Sequence, residues 1–319
     1  MGLFTMTRVL RYGTLVACVV GALGLAAQEP IFRGRGDAVR VFVTVTDRDG
    51  RLVANLPRES FEIRDDGRPQ PITLFDNSPQ PIRLIVMIDV SGSMEGNLPL
   101  LRAASEQLIG RLRPDDLMRL GTFGRSVAIG PSFTKDPREL LETLPRVIEG
   151  DAPTPLWRAI DEAISAFGDE NEERRVVLVL SDGKDSGPIE FRQRYVSQGE
   201  VIDRARNEDV MVYGIGMRSR PRQRQVGIGP GGLQAALLAD LPDPGLALVA
   251  ENTGGGFAEI RFGQDLAAAF AQVADELHSQ YLISFAPPRR DGKSHDIDVR
   301  VSERGMKPRA RKSYVAPKQ

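Results

Sequence analysis

Cysteine and histidine are rare in this sequence. It has 319 residues, with one cysteine, Cys18, and two histidines, His278 and His295. Because Cys18 lies in a segment that we expect to be removed, we expect neither disulfides nor a thiol nucleophile. The two histidines lie in different segments without metal-type spacing, so we expect both to be ordinary surface residues.

Familiar enzyme motifs are also missing. The sequence has no Gly-x-Ser-x-Gly nucleophile elbow and no phosphate-binding P-loop. Asp89 lacks the second aspartate, two residues on, of one common class of α/β phosphatases, because Ser91 stands there. The formal net charge is -1, which gives no overall field toward nucleic acid. We therefore expect no enzymatic activity, no small-molecule cofactor and no nucleic-acid partner.

The first 27 residues have the pattern of a signal peptide. Arg8 and Arg11 precede an apolar stretch over 13–26, and small residues at 26–27 offer a cleavage site. The stretch is short for a membrane span, so an uncleaved anchor is the alternative. The residues before Cys18 are similar to a lipoprotein cleavage box, but the apolar run before the cysteine is too short. We expect a protein that is secreted, periplasmic or attached to the cell envelope.

The middle of the chain, 82–280, alternates apolar runs with helix-period stretches. We predict strands over 84–89, 118–123, 176–182, 210–217 and 256–260, and an antiparallel edge strand over 127–133. We predict helices over 98–111, 137–148, 156–167, 199–207, 246–252 and 265–279. Continuous apolar strands between amphipathic helices indicate an α/β fold, a doubly wound and mostly parallel sheet covered on both faces.

The two ends of the chain have β character instead. In the N-terminal segment, 28–81, residues 39–46 alternate as a half-buried strand does, and 60–75 indicate two strands joined by a turn at Asp66-Gly67. Residues 281–319 contain three more predicted strands, 281–287, 295–302 and 308–316. Each end is too short to build a robust core alone. We therefore expect the two segments to pack together as a small β-sandwich, with the α/β domain inserted between them, and we expect a monomer.

Polar oxygen donors gather where the predicted parallel strands end. Asp89, Ser91 and Ser93 follow the first α/β strand, Asp182 follows another, and Thr154 lies just before a helix. Ligands of open α/β sheets bind outside the carboxyl ends of the strands. Carboxylate and hydroxyl oxygens suit a hard cation such as Mg²⁺, with Mn²⁺ or Ca²⁺ also possible. The alternative is a capped strand-to-helix turn, since Asp and Ser are favoured there.

These residues carry a family resemblance. The stretches "DVSGS" at 89–93, "GDAPTPL" at 150–156 and "LSDGKD" at 180–185 resemble the metal-ion-dependent adhesion site (MIDAS) of von Willebrand factor type A (VWA) domains. The resemblance implies that Ser91 and Ser93 bind the metal directly and that Asp89 acts largely through water. It implies that Thr154 and Asp182 bind directly or through water. One departure is the segment 151–153, Asp-Ala-Pro, where the family more often has glycines.

The flanking segments are similar to those of a bacterial secreted subfamily, the acidobacterial type A domain-related proteins. This second resemblance refines the architecture more than the function. The resemblance to the VWA metal site implies an adhesion-type binding module, in which an exposed Asp or Glu of a partner protein completes the cation's coordination. One alternative is a structural envelope component that binds through its β segments with a non-essential metal site. A second and less favoured alternative is a Mg²⁺-dependent hydrolase. The arginine-rich stretch 218–225 is either a solvated insertion or a basic rim that attracts an acidic partner.

Overall fold

The structure is a computed structural model. It describes residues 38–94, 97–168, 174–182, 184–187, 194–217, 243–260 and 265–318, except for the Ser93 side chain. These residues belong to one compact unit, Asp37–Gln319. The predicted signal peptide over 1–27 and the arginine-rich stretch 218–225 lie outside the described residues.

The described strands are numbered β1 to β14 in chain order. The N-terminal segment contains β1 Val39–Thr46, β2 Phe61–Asp65, β3 Arg68–Gln70 and β4 Ile72–Asp76. The α/β domain contains β5 Ile82–Asp89, β6 Leu117–Phe123, β7 Val127–Ile129, β8 Arg174–Ser181, β9 Val210–Met217 and β10 Phe257–Ile260. The C-terminal segment contains β11 Tyr281–Phe285, β12 Ser294–Val301, β13 Lys307–Arg309 and β14 Ser313–Val315.

The described α-helices all lie in the α/β domain. They are α1 Leu98–Gly110, α2 Pro137–Thr143, α3 Leu156–Ser165, α4 Gln198–Asn207, α5 Pro244–Thr253 and α6 Leu266–Leu277. Among the residues that the structure describes, no helix combines the length and apolar character needed to cross a membrane.

The central sheet confirms the predicted α/β fold. Its strand order is β10-β9-β8-β5-β6-β7, and β7 alone among these described strands runs antiparallel to its neighbour. The middle strands are buried because both sheet faces are covered by helices. One core lies against α1 and α6, and the other lies against α3, α4 and α5. Such a doubly wound sheet presents the carboxyl ends of its parallel strands together at one edge.

The two β segments pack together as predicted. β1 pairs with β11, and β2 pairs with β12, so each end of the chain supplies strands to the other. Two sheets result, ordered β13-β1-β11-β4 and β14-β12-β2-β3. Their inward side chains form a third core, in which the rings of Phe61 and Tyr281 lie 4.7 Å apart. Neither segment buries this surface alone.

Most element boundaries differ from the sequence prediction by one or two residues, and three elements differ by more. The edge strand predicted over 127–133 ends at Ile129. The helix predicted over 137–148 ends at Thr143, because Pro145 disfavours helical geometry at the preceding residue. The strand predicted over 308–316 is split into β13 and β14, which belong to different sheets. The chain crosses between the sheets at 310–312, where Arg311 donates to Asp209 (2.7 Å) and to the Arg40 carbonyl (2.6 Å).

A buried polar network joins the sandwich to the α/β domain. Glu276 of α6 accepts hydrogen bonds from Thr44 Oγ1 (3.2 Å) and Tyr213 OH, and it forms an ion pair with Arg309 of β13. Gln280 Nε2 donates to Thr44 Oγ1 (2.6 Å) and to Tyr213 OH (3.1 Å). The two modules therefore share a polar core as well as their covalent connections.

Arg174 lies beneath this network at the start of β8. It donates to the Leu277 carbonyl (2.6 Å) and to Gln280, and its guanidinium stacks over Phe42 at 4.6 Å. Burial lowers the pKa of Arg174 to about 10. Arg174 therefore remains positively charged at neutral pH. The carboxylate of Glu276 provides a negative charge at the same junction.

Candidate metal centre

Asp89 is the last residue of β5 and is fully buried. Its Oδ1 accepts a hydrogen bond from Ser91 N (2.8 Å), and its Oδ2 accepts one from Ser181 Oγ (2.6 Å). The second contact follows from the parallel register, which pairs Ile88 with Leu180 and so brings the next residue of each strand together. The carboxylate is thereby held at the carboxyl edge of the sheet.

The electrostatics of Asp89 favour a cation nearby. Burial raises the pKa of Asp89 to about 6, and the hydrogen bonds from Ser181 and Ser91 offset only part of that rise. At neutral pH the group is ionised at a free-energy cost. A cation at this edge of the sheet would remove that cost, because it favours the charged form of the carboxylate.

The loop that carries Ser91 is anchored on both sides. Val90 N donates to the Phe123 carbonyl (2.9 Å), and the Val90 carbonyl accepts from Glu149 N (2.9 Å). Ser91 is 2% exposed, and its carbonyl accepts from Met94 N (3.0 Å) in a short 3₁₀ turn, Gly92–Met94. The Ser93 backbone lies in this turn, and its side chain lies outside the described residues.

Asp182 and Thr154 are the other two predicted metal-binding residues whose side chains the structure describes. Asp182 follows β8 directly and is 1% exposed, and Thr154 is 6% exposed. Thr154 N donates to Ser186 Oγ (3.1 Å), and the Thr154 carbonyl accepts from Ser186 N (2.9 Å). These bonds tie the threonine loop to the segment that follows Asp182. Hydrogen bonds thus join Asp89 to Ser91, and separately join the two segments that carry Thr154 and Asp182.

Asp185 accepts backbone hydrogen bonds near the start of α3. Its Oδ1 accepts from Trp157 N (3.3 Å) in the first turn of α3, and its Oδ2 accepts from Gly187 N (2.9 Å). Burial raises the pKa of Asp185, and the backbone donors and the nearby Asp243 modify that shift. Asp185 therefore fixes the loop between Asp182 and α3 and does not itself belong to the donor set.

Ser181 is the contributor that sequence reasoning missed. It is 1% exposed and donates to Asp89, so it orients the carboxylate. The signal was available, because Ser181 directly precedes Asp182 at the end of a strand adjacent to β5. A hydroxyl at the last position of a neighbouring parallel strand faces the same edge.

The prediction for the two histidines is wrong. The His278 side chain is 13% exposed, and its Nε2 lies 2.8 Å from Asp116 Oδ2. His295 is 2% exposed and lies among carboxylates of the sandwich. Long-range packing against these acidic residues covers both rings, which local sequence could not indicate.

The donor chemistry of the predicted set suits a hard cation. The described donors of this set are the buried oxygens of Asp89, Ser91, Thr154 and Asp182, and no nitrogen or sulfur ligand belongs to it. Mg²⁺, Mn²⁺ and Ca²⁺ prefer carboxylate and hydroxyl oxygens of this kind. The donor chemistry and the burial of the two carboxylates therefore fit a divalent metal.

Comparison with known proteins identifies the class of this domain. Residues 84–184 match the family model described as von Willebrand factor type A domain. The chain thus contains a VWA domain, and the matched stretch includes all the predicted metal-binding residues. No curated protein matches the chain.

Several solved structures are similar in fold. Proximal thread matrix protein 1 from the mussel byssus, with a zinc-occupied MIDAS motif, is 16% identical with a TM-score of 0.45; the match covers 68% of this chain and 50% of that one. The chain therefore spans about half the length of the mussel protein. BatB from Bacteroides thetaiotaomicron is 16% identical with a TM-score of 0.44, covering 61% and 98%. The von Willebrand factor domain of the pilus tip protein Mfa5 from Porphyromonas gingivalis is 12% identical with a TM-score of 0.43, covering 62% and 95%.

Proposed function

We propose that this protein is an extracytoplasmic binding module that holds a divalent cation. An acidic side chain of a partner protein completes the coordination shell of that cation. The cation, Mg²⁺ in the first instance, binds at Asp89, Ser91, Ser93, Thr154 and Asp182. The observation that carries the proposal is the buried, oxygen-only donor set at the carboxyl edge of a VWA sheet. These five residues, binding directly or through a coordinated water, fill five positions of an octahedral shell and leave one for a partner's carboxylate.

The proposal includes binding without catalysis. A hydrolase would need a general base near its nucleophile or its metal-bound water. Both histidines are engaged elsewhere, His278 with Asp116 and His295 in the sandwich. Secretion through the segment 1–27 and the assignment to the acidobacterial subfamily are parts of the same proposal, and they rest on sequence pattern and resemblance.

A carboxylate probe tests the open coordination position. Mn²⁺ bound to the protein is followed by water-proton relaxation while a short peptide with a single Asp is added. We expect the relaxation enhancement to fall, because the peptide carboxylate replaces a water on the metal. Both peptides are C-terminally amidated, so that the Asp side chain is the one carboxylate tested. The peptide with Asn in place of Asp is the matched control and should leave the signal unchanged.

Two results would contradict this part of the proposal. Equal effects of the Asp and Asn peptides would mean that no carboxylate reaches the metal. An unchanged response in the Ser91→Ala/Ser93→Ala variant would place the metal elsewhere. In either case the structural alternative, binding through the β segments, becomes the better account.

A further inference from the structure

A second cluster of metal-ligating side chains lies in the β-sandwich. Asp65 ends β2, Asp66 begins the turn to β3, and His295 lies near the start of β12. Asp65 pairs with Ile297, so the start of β12 lies beside the end of β2. One ligand atom from each of the three side chains lies within 4.8 Å of the others.

The hairpin turn fixes the position of Asp66. Asp66 and Gly67 both have positive φ, 46° and 77°, as a two-residue type I′ hairpin turn requires. Asp66 N donates to the Asp296 carbonyl (3.0 Å), and Asp66 Oδ1 accepts from Asp296 N (3.0 Å). These bonds direct the other carboxylate oxygen, Oδ2, toward His295.

Two of the three distances between the ligand atoms are close to those around a small tetrahedral metal. His295 Nδ1 lies 3.1 Å from Asp65 Oδ1 and 3.4 Å from Asp66 Oδ2. With metal–ligand bonds of about 2.0 to 2.1 Å, tetrahedral ligands lie about 3.3 Å apart. The imidazole nitrogen and two carboxylates suit Zn²⁺ or a similar transition metal better than Mg²⁺ or Ca²⁺.

Neighbouring groups orient the three side chains. His295 Nε2 lies 3.1 Å from Asp291 Oδ1, which can accept a hydrogen bond from it. With the proton on Nε2, Nδ1 has a lone pair for a metal ion. Tyr314 OH donates to Asp65 Oδ1 (3.2 Å). A carboxylate behind the histidine and a donor on the ligating carboxylate are typical supports of metal ligands. His295 and Asp65 are 2% and 1% exposed, so the ligands are held by packing.

Arg289 provides the positive charge at this cluster. Its guanidinium donates to Asp66, and its terminal nitrogen lies 3.2 Å from His295 Nδ1. The Arg289 side chain is 55% exposed, so it can swing into solvent without unpacking the core. We propose that Asp65, Asp66 and His295 bind a Zn²⁺-class ion in competition with the Arg289 guanidinium. This site is separate from the proposed MIDAS and does not depend on it.

The test uses the full chain carrying Ser91→Ala/Ser93→Ala, so that the other proposed site does not contribute. Zn²⁺ is titrated by calorimetry, and Co²⁺ is titrated by visible absorption, which is stronger for tetrahedral than for octahedral ions. We expect one-to-one binding that His295→Gln and Asp66→Asn each weaken at least about tenfold. Asp298→Asn, which removes the same charge from an exposed β12 residue paired with Arg300 (2.7 Å), is the matched control.

The Arg289→Gln variant tests whether the cluster is a metal site or a structural ion pair. It removes the competing cation, so the proposal expects Zn²⁺ to bind more tightly in this variant. Weaker binding, or no Zn²⁺ binding in the starting protein, overturns the proposal, as does binding that Asp66→Asn leaves unchanged. Asp66 is partly exposed and Asn tolerates positive φ, so this variant should fold even if His295→Gln does not.

Discussion

Asp89→Asn is expected to weaken divalent-cation binding by about 10- to 100-fold and, without metal, to stabilise the folded protein at neutral pH. The stabilisation follows from burial, which raises the pKa of Asp89 to about 6. Above that pH the folded protein holds a buried charge that the unfolded chain exposes to water. An asparagine keeps the acceptor for Ser91 N and can donate to Ser181 Oγ, so the hydrogen bonds survive. The free energy of unfolding should rise by about 2 to 3 kcal/mol.

The stability difference between the wild type and Asp89→Asn depends on pH. The unfolded pKa is near 3.8 and the folded pKa is about 6, so between these values the folded state binds more protons. Wild-type stability therefore falls relative to Asp89→Asn as pH rises from about 4 to 6, and the difference is constant above that range. Cation affinity of the wild type should decline below about pH 6, because protons compete for the carboxylate.

Urea denaturation in EDTA at several pH values measures the stability difference, and calorimetry measures cation affinity. Asp203→Asn, on the exposed face of α4 where the side chain is 76% exposed, is the control and should show neither effect. If Asp89→Asn instead destabilised the protein at neutral pH, the ionised carboxylate of Asp89 would not be unfavourable in the folded state. Unchanged cation affinity would remove Asp89 from the site.

Glu276→Ala is expected to destabilise the protein by about 3 kcal/mol, because it removes the buried carboxylate of the junction. Arg309 would lose its ion-pair partner, and Thr44 and Tyr213 would lose an acceptor. Breaking a buried pair costs about 3 to 5 kcal/mol. The lower end applies here because the Arg309 side chain is 32% exposed and water can still reach it.

Glu251→Ala on α5 is the matched control for that variant. Glu251 pairs with Lys312 at 3.7 Å, but both side chains are more than half exposed, and the expected loss is below about 1 kcal/mol. Unfolding followed in urea gives both values. Equal losses for the two variants would mean that the junction network contributes no more than a surface ion pair.

The central sheet could be predicted from sequence because its signal is local. The runs that became β5, β8 and β9 are continuous apolar stretches that end in polar or turn residues. Once they are read as parallel strands, Asp89 and Asp182 must lie at the same edge. Burial of Asp89, Ser91, Thr154 and Asp182 at the ends of their elements is consistent with that reasoning.

The remaining features depend on contacts between distant parts of the chain. His295 meets Asp65 across 230 positions, and Glu276 meets Thr44 across 232. Neither residue has a neighbour in sequence that reveals its partner, so sequence reasoning places His295 at the surface. Pairing of β2 with β12 creates the first contact, and docking of the sandwich on α6 creates the second.

The most direct test of the account is calorimetric titration of Mg²⁺ and Mn²⁺ into the full chain, beside the Ser91→Ala/Ser93→Ala variant. We predict saturable one-to-one binding at the VWA site in the wild type, reduced at least about tenfold in the variant, because two hydroxyl ligands are removed while both buried carboxylates remain. Equal binding by both proteins, or no binding by either, would contradict a cation site at the end of β5.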